Sequence, residues 1–373
     1  MARKKTIKFN STTLYICIAI AVILALLVAL AFSPVGQSII DSMGESGSSN
    51  GGSGSSSNKT VLKLGSDLTV NESVVLDNVT CQIHFINVYQ GDGILVRFSD
   101  GTDILIDGGS TTSGLETTRE NFVQYLFDAG ITSTIDYLII THPDTDHYNM
   151  LTAVMESFVI ENVIYNNVNK NQTYSNFIAR IGEEVSGAHK MPIDADGDNY
   201  QINGTGYAID IYAPGYDRFN NADTSYDAEE SNGMSPIIVL TTGGTKVLLT
   251  GDATEETEAW FIDTFGTTLD VDILKVGHHG SNTSSSEAFL DFINAEYAVI
   301  SCDDGKAYEH PSATIMNRLF NEGMVTYRTN RHGDIVLSID EDGDFAFEVE
   351  NEITPENNSK GINDKMIITS TNP

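Results

Sequence analysis

Four residues able to bind a divalent cation fall within six consecutive positions. In the stretch T-H-P-D-T-D-H-Y-N-M, from Thr141 to Met150, they are His142, Asp144, Asp146 and His147. Imidazole and carboxylate together form the ligand set of zinc, manganese and related ions. A bound ion of that kind can polarise a coordinated water. Tyr137-Leu138-Ile139-Ile140 runs just ahead and reads as a buried strand. A solvated polar loop would not explain four such ligands at a strand's mouth. Side chains two apart on extended backbone share a face. His142, Asp144 and Asp146 are therefore expected to converge, with His147 joining them if the chain turns.

The remaining ligands must come from further along. Gly251-Asp252 ends one apolar run, and Gly277-His278-His279-Gly280-Ser281 ends another. Adjacent imidazoles beside glycines at a strand end point to ligation rather than packing. Tyr308-Glu309-His310-Pro311 holds one more imidazole on a loop that the proline keeps out of helix. Asp107-Gly108-Gly109 places an acid at a strand end where backbone can approach closely. His84 reads as a packed or surface residue within a strand, and His189 as an isolated surface residue. Lys275 reads as a structural residue at a buried strand end. Asp194, Asp196 and Asp198 alternate in D-A-D-G-D, but no glutamate follows at the EF-hand distance, so the run reads as a hairpin turn.

These groups need elements to carry them. Strands are expected around Ile83–Val88, Ile94–Phe98, Asp103–Ile106, Pro236–Thr241, Lys246–Thr250, Val271–Val276, Tyr297–Cys302 and Met324–Arg328. A last hairpin is expected at Asp334–Ile339 and Phe345–Val349. Gly91-Asp92-Gly93 reads as a turn. Helices are expected at Leu115–Ala129, Glu255–Phe265, Glu287–Ile293 and Ala313–Phe320. Strand, hairpin, helix and strand in that order suit an α/β layered fold.

The 373 residues carry 52 acidic and 20 basic side chains, a formal charge of −32. Such a surface argues against binding nucleic acid through a basic patch. It leaves phosphate chemistry open, because bound divalent ions reverse the local field. Of the three cysteines, Cys17 lies in the N-terminal apolar run, and Cys81 and Cys302 lie in separate strands. No C-x-x-C occurs, so a thiolate zinc site is not expected. Two separate buried thiols are preferred to a disulfide.

Five segments are expected: 1–13, a basic cytoplasmic stretch; 14–32, an apolar span; 33–60, a Gly/Ser-rich linker; 61–354, the folded domain; and 355–373, a polar tail. Arg3, Lys4, Lys5 and Lys8 precede the span Leu14–Phe32, which is long enough for one crossing of a bilayer. That arrangement predicts a single-pass cell-membrane protein with its C-terminal domain extracellular, or a secreted one if the segment is cleaved.

Six pieces in order, V-Y-Q-G-D-G-I-L-V, I-L-I-D-G-G, T-H-P-D-T-D-H, L-L-T-G-D, L-K-V-G-H-H-G-S and Y-E-H-P, resemble the metallo-β-lactamase superfamily. Within it they resemble the hydrolase domain of the ComEC competence family and its free-standing relatives. The resemblance covers about residues 81 to 340. It implies an αββα sandwich with two divalent metal ions, zinc or manganese, at one edge of the sheets. Carried over by position, His142 and Asp144 hold the first ion, and Asp146 and His147 the second. Asp252 bridges both. His279 completes the second site, with His278 in its place if the register shifts by one. Asp107 supports the ligand loop from behind. The superfamily usually has histidine where this chain has Asp144, an aspartate shared by the ComEC branch. For the first ion's third histidine only His189 is available. The extra carboxylate favours harder ions such as manganese.

The implied chemistry is hydrolysis by a metal-activated hydroxide, with Asp146 at the reacting centre and His310 as general acid or phosphate contact. The implied substrate is a phosphodiester, from nucleic acid or a cell-wall component, which makes a phosphodiesterase or nuclease the leading expectation. A phosphorylcholine-esterase-like enzyme and a non-catalytic surface binding module are the alternatives. No protein partner is implied.

Overall fold

The computed structural model describes residue 76 and residues 78–111, 115–185, 187–219, 226–266, 268–303 and 308–351. The expected span Leu14–Phe32, the linker 33–60 and the tail 355–373 lie outside them.

One sheet contains β1 (Val79–Phe85), β2 (Ile94–Phe98), β3 (Asp103–Ile106), β4 (Thr134–Ile139), β5 (Val159–Asn166), β6 (His189–Ile193), β14 (Ile335–Asp340) and β15 (Phe345–Val349). Its strand order is β15-β14-β1-β2-β3-β4-β5-β6. The second sheet contains β7 (Asn199–Gly204), β8 (Tyr207–Tyr212), β9 (Ile237–Thr242), β10 (Thr245–Leu249), β11 (Ile273–Lys275), β12 (Tyr297–Ile300) and β13 (Val325–Arg328). It is ordered β13-β12-β11-β10-β9-β8-β7.

Strand periodicity sorts the apolar residues into three layers of core. On β3, Ile104 and Ile106 point into the space between the sheets, while Leu105 points to the helices outside. On β10, Val247 and Leu249 point inward and Leu248 outward. Strands covered on both faces read as continuous apolar runs, as these do.

Against the first sheet pack α1 (Leu115–Asp128), α3 (Leu151–Ser157) and α4 (Gln172–Glu184), which bury Phe122, Leu126, Leu151, Val154, Tyr174 and Phe177. The short α2 (Thr145–Tyr148) and α5 (Ala228–Gly233) sit in connections. Against the second sheet pack α6 (Glu255–Phe265), α7 (Glu287–Ile293) and α8 (Ala313–Asn321), through Phe261, Phe289, Leu290 and Ile315. A last turn of helix, α9 (Thr329–His332), follows β13. Helix, sheet, sheet and helix are thus stacked in four layers.

Two parallel pairings decide where chemistry can occur. β3 runs parallel to β4, and β10 parallel to β11. Each pair therefore ends at the same edge of its sheet, and the chain leaves these strands through Asp107, the His142 loop, Asp252 and the double histidine.

Several expectations need correcting. Among the described residues no helix is long and apolar enough to cross a membrane. The longest, α1, has 14 residues, against roughly 20 apolar ones for a bilayer. The expected single-pass membrane placement with an extracellular domain is therefore not supported by the described residues. The D-A-D-G-D run closes no hairpin, because β6 and β7 lie in different sheets. It is a crossing turn, in which Asp198 Oδ2 accepts from the Asp194 N–H at 2.7 Å. Cys81 and Cys302 are both free and buried.

Candidate metal centre

Asp107 leaves β3 with a positive φ of 58°, a conformation that costs a non-glycine residue about 1–3 kcal/mol. The carboxylate it presents is fully used. Its Oδ1 accepts from the Thr141 N–H at 2.8 Å. Its Oδ2 accepts from the Thr141 hydroxyl at 2.6 Å and pairs with His147 Nδ1 at 2.7 Å. Burial raises the Asp107 carboxyl, against the pull of His147. One acid thus fixes both ends of the ligand loop.

The loop does not keep the extended spacing expected of it. Asp144 is extended, at the cap of α2, and Asp146 and His147 lie on that turn of helix. His147 is thereby turned inward, with Nδ1 on Asp107 and Nε2 at 3.4 Å from Asp252 Oδ1. His142 is fully buried, and its Nδ1 lies 3.1 Å from Thr141 Oγ1 and 3.2 Å from Ser235 Oγ. The Thr141 hydroxyl donates to Asp107, so its oxygen accepts from His142 Nδ1. That leaves Nε2 with its lone pair free, 3.9 Å from Asp252 Oδ2.

Asp144 takes another course. Its carboxylate is paired with Lys170, and it belongs to none of the ligand clusters found among the described residues. The cause is local: the extended residue ahead of α2 points its side chain along a different line from the helical residues after it.

Asp252, after β10, is the hub. Its Oδ2 lies 3.5 Å from His279 Nε2 and 3.7 Å from His278 Nε2. Burial raises its carboxyl, but His279, His147 and His278 outweigh that and hold it well below the usual range. The same attraction, from Asp252 and Asp107, lifts His147 well above the usual imidazole range despite burial.

His278 and His279 occupy the turn Gly277–Gly280 with positive φ values of 49° and 53°. They part there. His279 is buried, places Nδ1 at 3.0 Å from the Ser301 carbonyl and turns Nε2 to 3.5 Å from Asp146 Oδ2. His278 is 22% exposed and leans on Thr283 Oγ1 at 2.9 Å. Between the two readings of the double histidine, the buried position is that of His279. Asp146 is 19% exposed and is the acid that opens towards solvent.

His310 lies at the rim. Its ring centroid is 5.5 Å from that of His278, and its Nδ1 is 3.4 Å from Gln90 Nε2. Burial and the two neighbouring histidines lower it to about 4. His189 is exposed at the start of β6 and joins none of the clusters. Lys275 is buried at the end of β11 and paired with Asp92 at 3.0 Å. Asp92 joins His279 and Asp252 in one of the clusters. Sequence reasoning read it only as a turn residue. The available signal was its pair of flanking glycines, a setting much like that of Asp107 and Asp252.

The residues present fit divalent cations. His142 Nε2, His147 Nε2, His279 Nε2 and Asp252 Oδ1 are buried and have no hydrogen-bond partner among the described residues. Each such orphan costs about 1–3 kcal/mol, and four pointing at one another is the arrangement a cation relieves. His142, His147 and Asp252 present ligand atoms within 4.8 Å of one another, as do Asp146, His147 and His279. His147 has one lone pair facing the centre and can serve one cation, whereas Asp252 offers two oxygens, Oδ1 towards His147 and Oδ2 towards His142 and His279, so the set is compatible with a binuclear centre.

The family profile described as "Metallo-beta-lactamase superfamily" matches residues 86–203 and 231–303. Among curated proteins, the chain is 36% identical over 114 residues to "Competence protein ComA" of Neisseria gonorrhoeae, covering 31% of this chain and 16% of that one. It is 28% identical over 268 residues to "Recombination protein 2" of Haemophilus influenzae, covering 72% of this chain and 30% of that one. The chain thus spans less than a third of the length of these relatives. Zinc-bound PqqB from Methylobacterium extorquens overlaps at 11% identity and a TM-score of 0.41, over 64% of this chain and 85% of that one. With two matched segments bracketing the ligand motifs and competence proteins of the ComA and ComEC type as its homologues, the chain belongs to the metallo-beta-lactamase superfamily.

Proposed function

We propose that the chain is a metal-dependent phosphodiester hydrolase whose centre is held by His142, Asp146, His147, Asp252 and His279. The observation that carries this is the convergence of four histidine Nε2 atoms on the two oxygens of Asp252, at 3.4 to 3.9 Å. Zinc or manganese bound there would supply Lewis acidity and lower the pKa of a coordinated water. The likeness to competence proteins supports a phosphodiester, derived from nucleic acid or from a cell-wall polymer, over other esters.

The chain's own residues divide the work. Asp252 lies between the two ligand groups and holds them in register. Asp107 keeps His147 Nδ1 engaged, so that Nε2 faces the centre. Asp146, the partly open acid, orients the attacking water. His310 is neutral at pH 7, since burial and its histidine neighbours lower it to about 4. It therefore offers an N–H to a phosphoryl oxygen rather than a proton to the leaving group. Asp144 contributes charge balance for Lys170 at the edge of the centre.

The test is hydrolysis of bis-p-nitrophenyl phosphate by the purified full chain, stripped with chelator and resupplied with manganese or zinc. Turnover is expected only with metal, and to fall more than about 100-fold in Asp146→Ala and Asp252→Ala, exceeding the 10–100-fold typical of an outer-shell residue. Unchanged turnover in either variant removes the catalytic assignment. A chain that binds no metal at saturating supply is the non-catalytic binding module instead. Preference for a choline phosphodiester would mark the phosphorylcholine-esterase-like alternative.

A further inference from the structure

Asp92 lies outside the ligand motifs, yet its polar groups tie both sheets to the centre. Its backbone N–H donates to the Asp146 carbonyl at 3.2 Å, and its own carbonyl accepts from the Gly109 N–H at 3.1 Å. Its Oδ2 accepts from Lys275 Nζ at 3.0 Å. Lys275 belongs to the other sheet, and its Nζ also donates to the Val276 carbonyl at 3.2 Å, one residue before the double-histidine turn. One residue therefore links the ligand loop of the first sheet, through its backbone, to the ligand turn of the second, through its side chain and Lys275.

The other carboxylate oxygen has no such employment. Asp92 is 1% exposed, and its Oδ1 has no hydrogen-bond partner among the described residues. His279 Nδ1 is 3.7 Å away and already engaged with the Ser301 carbonyl at 3.0 Å. Asp92, Asp252 and His279 nevertheless present ligand atoms within 4.8 Å of one another, and so do Asp92, Asp107 and His147. The backbone is built to bring it there. A Cβ on Gly91 would stand 2.3 Å from the Gly109 carbonyl oxygen and 2.6 Å from that of Asp146. A purely structural ion pair would be expected to satisfy both carboxylate oxygens, since a buried charge left half-paired is costly.

We propose that Asp92 is a further cation-facing carboxylate of the centre, with Lys275 as the positioning residue that fixes Oδ2 and leaves Oδ1 for the cation. This rests on the two-cation reading of the site. It extends the ligand set to the β1–β2 turn, and it makes Lys275 a determinant of metal affinity although it offers no ligand atom itself.

The experiment compares the full-length protein with Asp92→Asn and with Asp92→Asn/Lys275→Met, reading manganese and zinc affinity by chelator competition and the thermal midpoint of the metal-free protein. Asp92→Asn leaves Lys275 buried without its counter-charge. It is expected to lower both the midpoint and the affinity, the latter by more than about 100-fold, beyond the 10–100-fold typical of an outer-shell residue. The double variant removes both charges and is expected to recover the midpoint but not the affinity. Recovery of both would make the pair structural and overturn the proposal, as would unchanged affinity in Asp92→Asn. Failure of the unsubstituted protein to bind any cation would sink this proposal together with the two-cation reading. Metal binding without hydrolysis would remove only the catalytic reading and leave Asp92 standing.

Discussion

Asp252 shows how much a single side chain can gather: histidines from two loops meet its two oxygens, and none of them is its neighbour in sequence. Glu258, one turn into the helix that follows, shows a different use of a buried acid. Its carboxylate accepts from the Ser285 and Ser286 N–H groups and so ties α6 to the cap of α7. Burial outweighs those bonds and raises it from 4.5 to about 7. A raised acid favours the folded state fully below its unfolded value. That advantage is lost as pH climbs through the folded value. Stability should therefore fall between about pH 4.5 and pH 7, by on the order of 3 kcal/mol for a shift of this size. Thermal midpoints across that range for the native chain and Glu258→Gln would check it: the native curve should decline relative to the variant, and parallel curves would count against Glu258. Much of the residue-level site was legible. The acids and imidazoles at strand ends stood out because such groups have no packing role there. The pairing of Asp144 with Lys170 was not legible, because the direction of its side chain depends on a helix starting one residue later, which spacing alone does not reveal. Asp92 was overlooked because an acid between glycines is also what an ordinary turn looks like.

At the scale of elements, the ligand loop is held by contact as much as by bonding. Gly109 lies against α2 so closely that an added Cβ would sit 2.2 Å from the Asp146 carbonyl carbon and 2.4 Å from the His147 nitrogen. Backbone cannot yield as a side-chain tip would. Gly109→Ala should thus displace the turn carrying both ligands, costing about 1–3 kcal/mol of stability and weakening metal binding along with it. Gly182, inside α4, meets nothing within 4 Å. Gly182→Ala should gain up to about 1 kcal/mol through helix propensity and leave metal binding unchanged. Denaturant midpoints and metal titrations of the two variants measure this contrast, and equal behaviour would show that the close approach at Gly109 is unimportant. The strands around these turns were readable because their apolar runs are short and bounded by glycine. The helix α6 was readable to its ends, with Gly266 in the left-handed conformation closing it. The D-A-D-G-D turn was not, because pairing partners decide whether a turn closes a hairpin or crosses between sheets.

For the whole molecule the dominant quantity is the charge of −32. Such a field repels anionic polymers over a distance set by the Debye length, about 30 Å at 0.01 M salt and 8 Å at 0.15 M. Hydrolysis of a single-stranded oligonucleotide should accordingly rise with salt across that range, by roughly tenfold if encounter limits the rate. Hydrolysis of bis-p-nitrophenyl phosphate, a small monoanion, should change little. A falling rate with the polymer would instead indicate a local basic track that overrides the net charge.

By itself the sequence determined which residues could bind cations, the order in which their motifs follow, and the strands that end in them. Those are local properties, written in two-residue alternation, glycine placement and the chemistry of single side chains. Only the tertiary structure decided that Asp252 is the hub, that His279 is buried while His278 stands at the rim, that Asp144 turns to Lys170, and that Asp92 and Lys275 join the two sheets. These depend on how two separately built sheets come to share one edge, and no window of sequence spans the contacts that set that distance.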